Sequence, residues 1–357
     1  MKNLVKFAEN RVRRNYTGGA ATDMLRRKST CVDNNKPEDW IASTVNAGNP
    51  DMEPVENEGL STLEDGRLFR DFLSEAPEHY LGKAHYSKFG IETGFLTKIL
   101  DSAVRLCMQG HPSRDFSRKH LNSKYGKLEV YYIFSVRPGI DPYIWLGFQR
   151  APSREEWTDI VLKQDSERLS ACFDKVPVKP GDVWFIPGGM PHAIGEGVLM
   201  IEIMEPSDWC VRCEFDPARK VDHKQTYYMG LEPYDAMGIF NYTSYSVEEV
   251  TRNQRVTPAM AISTPEYTYE TLITPALTDC FTVDKLTVLK NCMIDKTTET
   301  FYTGVVTKGA VTVSAGEDTL ELKAGESFFV SAACDQVEYR LDSSKAEVLV
   351  MKPGPGA

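Results

Sequence analysis

No apolar run in the 357 residues approaches the roughly 18 that a membrane-crossing helix needs, so an integral membrane protein is not expected. The amino terminus, MKNLVKFAENRVRRNY, has too short an apolar stretch for a signal peptide. Positive charge is also short: 41 Lys and Arg stand against 51 Asp and Glu, a net charge of −10. Such a surface repels phosphate backbones, so nucleic acid is not an expected partner, and an anionic small molecule would need a local cluster of cations. Cysteines are scattered, eight in all, and Cys210 with Cys213 forms a CxxC that no second CxxC completes. Read on a strand, that odd offset sends the two thiols to opposite faces. Reduced structural thiols in a cytoplasm are the expectation. There is no low-complexity tract and no short-period repeat. Histidine is scarce too, with six residues at 79, 85, 111, 120, 192 and 223 and none beyond. A histidine-dependent metal site must therefore sit in the first two thirds of the chain.

Apolar residues make up 41% of the chain, enough for a sizeable core and too many for overall disorder. Short strands punctuated by Gly and Pro are read at 94–100, 103–109, 128–136, 143–149, 182–187, 197–205 and 209–215, a pattern of sandwiches and barrels. Helices are read over TDMLRRK, over Gly66 to Ser74, from Ser153 with Glu156 three residues on, and from Ser246 with Glu249. Residues 217–262 read as a polar, irregular connection. A second strand-rich block follows at 266–351, and the two β blocks look like distant copies of one architecture.

Within Gly181–His192 (GDVWFIPGGMPH) a strand is stopped by Pro187 and two glycines, and His192 is presented just beyond the turn. Glycine lets the backbone turn sharply without a Cβ penalty. The spacing G-x5-P-x-G-x2-H at Gly181, Pro187, Gly189 and His192 resembles the second signature of the cupin superfamily, in which the histidine is a metal ligand inside a β-barrel. Gln109 and His111 are two apart on a strand and leave the same face. Lys127 and Glu129 likewise share one face, with Val130, Tyr132 and Phe134 on the other. A charged pair on an otherwise apolar strand calls for a reason.

Together these segments resemble the class I mannose-6-phosphate isomerases. The family's QxHP, GKxE and PxGxPHAIG elements read here as QGHP, GKLE and PGGMPHAIG, and its SDxxxR element as Ser207-Asp208-Trp209-Cys210-Val211-Arg212. Glu38-Asp39-Trp40-Ile41-Ala42-Ser43 is similar to its E-x-W-x-x-S segment. Departures are Gly110 for a usual larger residue, Met190 for Thr or Val, and the bulky Trp209. The resemblance implies a mainly β fold of two cupin-like jelly-roll barrels: a catalytic unit over 1–255 with helical insertions, and a metal-free unit over 256–357. It implies metal ligands Gln109, His111, Glu129 and His192. Two imidazoles, a carboxylate and an amide oxygen suit Zn²⁺, with Fe²⁺, Mn²⁺ and Co²⁺ left open. The implied reaction interconverts mannose 6-phosphate and fructose 6-phosphate through a cis-enediol. Lys127 is the candidate proton shuttle, its ammonium expected to be disfavoured by burial and by a nearby cation. Arg212 and Asp208 are candidates for holding oxyanions and hydroxyls, and Ser113, Arg114 and Lys98 for holding the phosphate. The expected partner is thus a small sugar phosphate, with a monomer left open. Three alternatives stand beside this reading: another aldose on the same site, a non-catalytic sugar-binding cupin, and an iron oxygenase, which the fourth ligand Gln109 counts against.

Overall fold

Strand Glu129–Val136 explains the plan of the molecule. Its alternation sends Tyr131 and Ile133 into one core, with Leu100, Trp184, Ile186 and Met200. Val130 and Tyr132 point the other way, into a core shared with the second half of the chain, among them Phe281, Val283, Leu349 and Met351. A strand buried on both faces in this way sits in the middle of a layered protein. The structure, a computed structural model, describes residues 1–296 and 298–356.

The first large sheet has seven strands, in the order Arg255–Val256, Val183–Ile186, Glu129–Val136, Val198–Met204, Leu96–Asp101, Glu38–Ile41 and Arg11–Val12. A small sheet faces it: Val211–Arg212, Gln109–Gly110, His192–Ile194, Tyr143–Leu146 and Val176–Pro177. The second half repeats the arrangement. Its seven-stranded sheet runs Leu4–Lys6, Ser327–Val330, Tyr302–Lys308, Ala346–Pro353, Phe281–Val288, Tyr267–Ile273 and Ala259–Ser263. Its small sheet runs Cys292–Asp295, Gln336–Leu341, Ala310–Ala315 and Asp318–Lys323. The fold is mainly β, two jelly-roll barrels, as the sequence implied. We propose that the units divide close to the expected 255/256, just past the strand Arg255–Val256, with the first lending the strand Leu4–Lys6 to the second's sheet.

Helices fill the connections of the first barrel. Ser246 and Glu249 form the reciprocal box, Glu249 N–H to Ser246 Oγ at 3.1 Å and Ser246 N–H to Glu249 Oε2 at 2.8 Å, and open helix Val247–Gln254. Three sequence expectations are corrected. Of the strand read at 103–109 only Gln109–Gly110 forms, and of that at 209–215 only Val211–Arg212. The reason is Glu214, whose carboxylate accepts from Met108 N–H at 2.6 Å and clamps Arg105 at 2.7 Å, replacing ladder bonds. The stretch 217–262 is more than a connection. It carries helices His223–Tyr228 and Pro233–Ala236, and it buries Tyr227, Tyr228, Met237 and Phe240 against Trp157 and Phe148.

Candidate metal centre

Register alone gathers the first residues. His192 lies opposite Gln109 across one strand pair, and Arg212 opposite Gln109 across the next. Glu129 opens its strand on the facing sheet, opposite Ile186, five residues after Gly181. The turn bearing His192 is tied to the one bearing His111 by Gly189 N–H donating to His111 O at 2.7 Å. Gly189 has φ +88°, and a Cβ there would meet Ile239 O at 2.8 Å, so glycine is required on both counts.

His111, Glu129 and His192 each present a ligand atom within 4.8 Å of the other two, all buried. His111 Nε2 lies 3.0 Å from Glu129 Oε1, and His192 Nε2 lies 3.5 Å from Glu129 Oε2. The Gln109 amide reaches to 3.5 Å from His192 Nε2. Each imidazole is oriented from behind: His111 Nδ1 donates to Trp209 O at 2.8 Å and His192 Nδ1 to Met190 O at 2.9 Å. A carbonyl only accepts, so both rings carry their proton on Nδ1 and turn the Nε2 lone pair inward. Burial lowers both histidines, His192 to about 4, which keeps them neutral at pH 7. Burial alone would raise Glu129, but the charge of the Lys127 ammonium, the largest opposing effect, holds the carboxylate well below the usual range. Two inward imidazoles and an ionised carboxylate fit a divalent cation.

Lys127 Nζ stands 3.0 Å from Glu129 Oε1 and 3.1 Å from His111 Nε2. Burial pushes its ammonium down, and the charges of Glu129 and Asp208 push it up more strongly. Lys98 lines the same cavity, 3.6 Å from Glu38 and 3.5 Å from Glu202. Asp208 is gripped by Arg14 at 3.1 Å and by Gly48 N–H at 2.7 Å, and Arg212 donates to Thr226 O at 2.8 Å. Asp208, Cys210 and Arg212 line both an inner cavity of about 50 Å³ and an outer one of about 370 Å³. Ser113 and Arg114 are not brought to these cavities. Ser113 caps helix Arg114–His120, and Arg114 binds Glu205 and, at 2.8 Å, Asp279, in an open cleft facing the second unit.

Three residues carry more of the site than sequence reasoning gave them. Glu202 faces the inner cavity, and burial followed by the charge of Glu129 raises its carboxyl well above the ordinary range, so it holds a proton. The signal was one acid among Leu199, Ile201 and Ile203, on the opposite face. Glu38 accepts from Tyr16 and Trp40 at 2.7 Å and from Arg14 at 2.9 Å. Arg14 joins Glu38 to Asp208, and no local pattern announces it. The CxxC thiols do part: Cys210 donates to Gln109 Oε1 at 3.2 Å, whereas Cys213 packs beside Trp157 in the helical core.

No protein-family profile matches the chain. By sequence it is 34% identical over 166 residues to mannose-6-phosphate isomerase ManA of Bacillus subtilis (strain 168), covering 45% of this chain and 49% of that one. It is 36% identical over 127 residues to the mannose-6-phosphate isomerase of Streptococcus mutans serotype c, covering 36% and 38%. The chain thus spans about half the length of the curated relatives it matches, or less. By fold it is similar to the mannose 6-phosphate isomerase of Bacillus subtilis, at TM-score 0.73, 18% identity and 98% and 99% coverage. It is also similar to the apo form from Salmonella typhimurium, at TM-score 0.71, 16% identity and 99% and 100% coverage. A mannose 6-phosphate isomerase solved with zinc and yttrium gives TM-score 0.70 at 16% identity, covering 98% and 100%. Fold and cluster together define a double-barrelled cupin with a buried two-histidine, one-carboxylate centre. It is similar to mannose-6-phosphate isomerases, by sequence over about half their length or less and by fold over nearly all of it.

Proposed function

We propose that the protein is a zinc-dependent aldose–ketose isomerase interconverting mannose 6-phosphate and fructose 6-phosphate. The observation that carries this reading is the Lys127 ammonium held against Glu129 and His111, at 3.0 and 3.1 Å, in a buried cluster fit for a divalent cation. A binding protein has no need of such a group there. Gln109, His111, Glu129 and His192 would hold the zinc ion, which supplies a Lewis acid for the sugar's oxygens. The reaction moves one hydrogen from C2 to C1 and one from the C2 hydroxyl to the oxygen on C1, so it consumes no oxidant or reductant. Lys127 is the proposed proton shuttle between these positions. The inner cavity, at about 50 Å³, has room for the reacting end only, and the sugar's remainder would occupy the outer one of about 370 Å³. Arg212, facing both cavities, suits an oxyanion through its fork, and Asp208 a hydroxyl. Ser113 and Arg114 line a separate cleft and are given no part in this path. A sugar phosphate is the expected partner. Eight unpaired cysteines support a reducing, cytoplasmic setting, and no helix of the described residues is long and apolar enough to cross a membrane.

The test is a coupled assay for fructose 6-phosphate formation with metal analysis of the same sample. Turnover should vanish on chelation and return with zinc. Stoichiometric zinc without turnover of mannose 6-phosphate, but with turnover of another aldose, would move the assignment to that sugar.

A further inference from the structure

The repeated topology permits a residue-by-residue comparison of the two barrels. Gly325 stands where Gly181 stands, and the strand after each pairs with the strand bearing the next position: Ile186 lies opposite Glu129, and Val330 opposite Tyr302. Tyr302 therefore holds the place of Glu129. Eleven residues past each glycine come His192 and Gln336, lying opposite Gln109 and Asp295 respectively. In the second barrel Gln336 donates to Asp295 Oδ1 at 2.8 Å. Imidazole and carboxylate have become amide and phenol, so the cation is gone from the design.

The cavity is not gone. About 340 Å³ stays open among strands that could have filled it, whereas protein interiors normally pack without such voids. We propose that this cavity is a metal-independent binding site for an uncharged sugar ring, held between the faces of Tyr267 and Tyr269 and the hydroxyls of Tyr302 and Tyr339. Three observations carry it. The Tyr302 and Tyr339 hydroxyls lie 2.9 Å apart with their residues 6% and 2% exposed. Two phenols have two hydrogens and share one bond, so one buried hydrogen has no acceptor among the described residues, and a ligand oxygen supplies it. The charged groups on the wall are already engaged by the protein: Lys352 Nζ lies 3.1 Å from Asp284, Asp295 accepts from Gln336, and Lys296 Nζ donates to Thr300 O at 3.0 Å and Ala332 O at 2.9 Å. Each already has hydrogen-bond partners, which leaves the phenol hydroxyls as the polar groups offered to a ligand. At the rim Ile262 and Met293 are 43% and 55% exposed, apolar surface that a ring with an apolar C–H face would cover.

The site shares no residue with the metal centre, so its failure and that of the isomerase reading are separable. The probe is methyl α-D-mannopyranoside, whose locked ring excludes isomerisation, titrated into the full-length protein with saturation-transfer NMR as readout. Binding should be saturable and should persist in His192→Ala. It should weaken about tenfold or more in Tyr269→Ala and in the near-isosteric Tyr302→Phe, with isomerase activity unchanged in both. Should Tyr269→Ala not fold, Tyr302→Phe decides. No saturable binding, loss of binding in His192→Ala, or indifference to the tyrosine variants would each overturn the proposal.

Discussion

A Cβ on Gly110 would lie 2.2 Å from Cε1 of Phe240 and 2.9 Å from its Cδ1. The ring comes from the 217–262 segment and packs edge-on to Trp157, with centroids 6.0 Å apart, so it has little room to retreat. That accounts for glycine where the family pattern has a larger residue: a core absent from the local sequence claims the space. Gly110→Ala should cost about 1–3 kcal/mol in denaturant unfolding, the range for overpacking. Adding Phe240→Ala should recover part of it, a coupling of about 0.5 kcal/mol or more. Strict additivity would show that the ring does not set the residue. Lys127 is tested by Lys127→Met, which keeps the stem's bulk and removes the ammonium. The expected outcome is turnover reduced about 10²–10⁴-fold with zinc content unchanged. Loss of zinc along with activity would instead make Lys127 a structural part of the centre.

At the scale of the element, strand Glu38–Ile41 is buried along its whole length and carries an acid at its start. Burial raises Glu38, but Arg14 and Lys98 outweigh burial and hold it at about 2, below the ordinary 4.5. A lowered carboxylate contributes stability that is complete above about pH 4.5 and disappears as pH falls towards 2. A shift of this size is worth roughly 3 kcal/mol. The wild type should therefore lose stability between pH 5 and 3 by more than Glu38→Gln does, measured as urea midpoints on both proteins; parallel curves would show that Glu38 is not the group responsible. Elements of this kind also mark what was legible in advance. Strands Glu129–Val136 and Val198–Met204 announce themselves because alternation is local, and the Gly181–His192 turn because glycine and proline punctuate it. Strands 103–109 and 209–215 mislead because Glu214, more than 100 residues from Arg105, supplies the bonds a ladder would have made. Arg14 was invisible for the same reason, since its partner Asp208 is 194 residues away. What motifs encode is the chemistry of the centre; what holds that chemistry in place is tertiary.

Across the whole molecule the two large sheets lie back to back, and the layer between them joins Val130, Tyr132, Ile99 and Ile201 to Phe281, Val283, Leu349 and Met351. Phe95 of the first unit meets Phe281 of the second with ring centroids 6.3 Å apart, and Phe69 meets Phe329 at 5.2 Å. The chain threads the units together as well, since Leu4–Lys6 pairs with Phe328, Phe329 and Val330. A largely apolar face of that size cannot be left in water, so neither unit should unfold without the other. The tryptophans make this testable without a label. All five, at 40, 145, 157, 184 and 209, lie before residue 255, so their fluorescence reports the first unit alone, while far-UV circular dichroism reports strands of both. In the wild type the two signals should change at one denaturant midpoint. Phe281→Ala empties the second unit's side of the shared layer at a cost of about 3–5 kcal/mol. It should move the tryptophan midpoint down together with the dichroism midpoint, although no tryptophan lies in the mutated unit. A tryptophan transition that stays in place while the dichroism splits into two steps would mean that the interface does not couple the barrels. Each barrel would then stand on its own core.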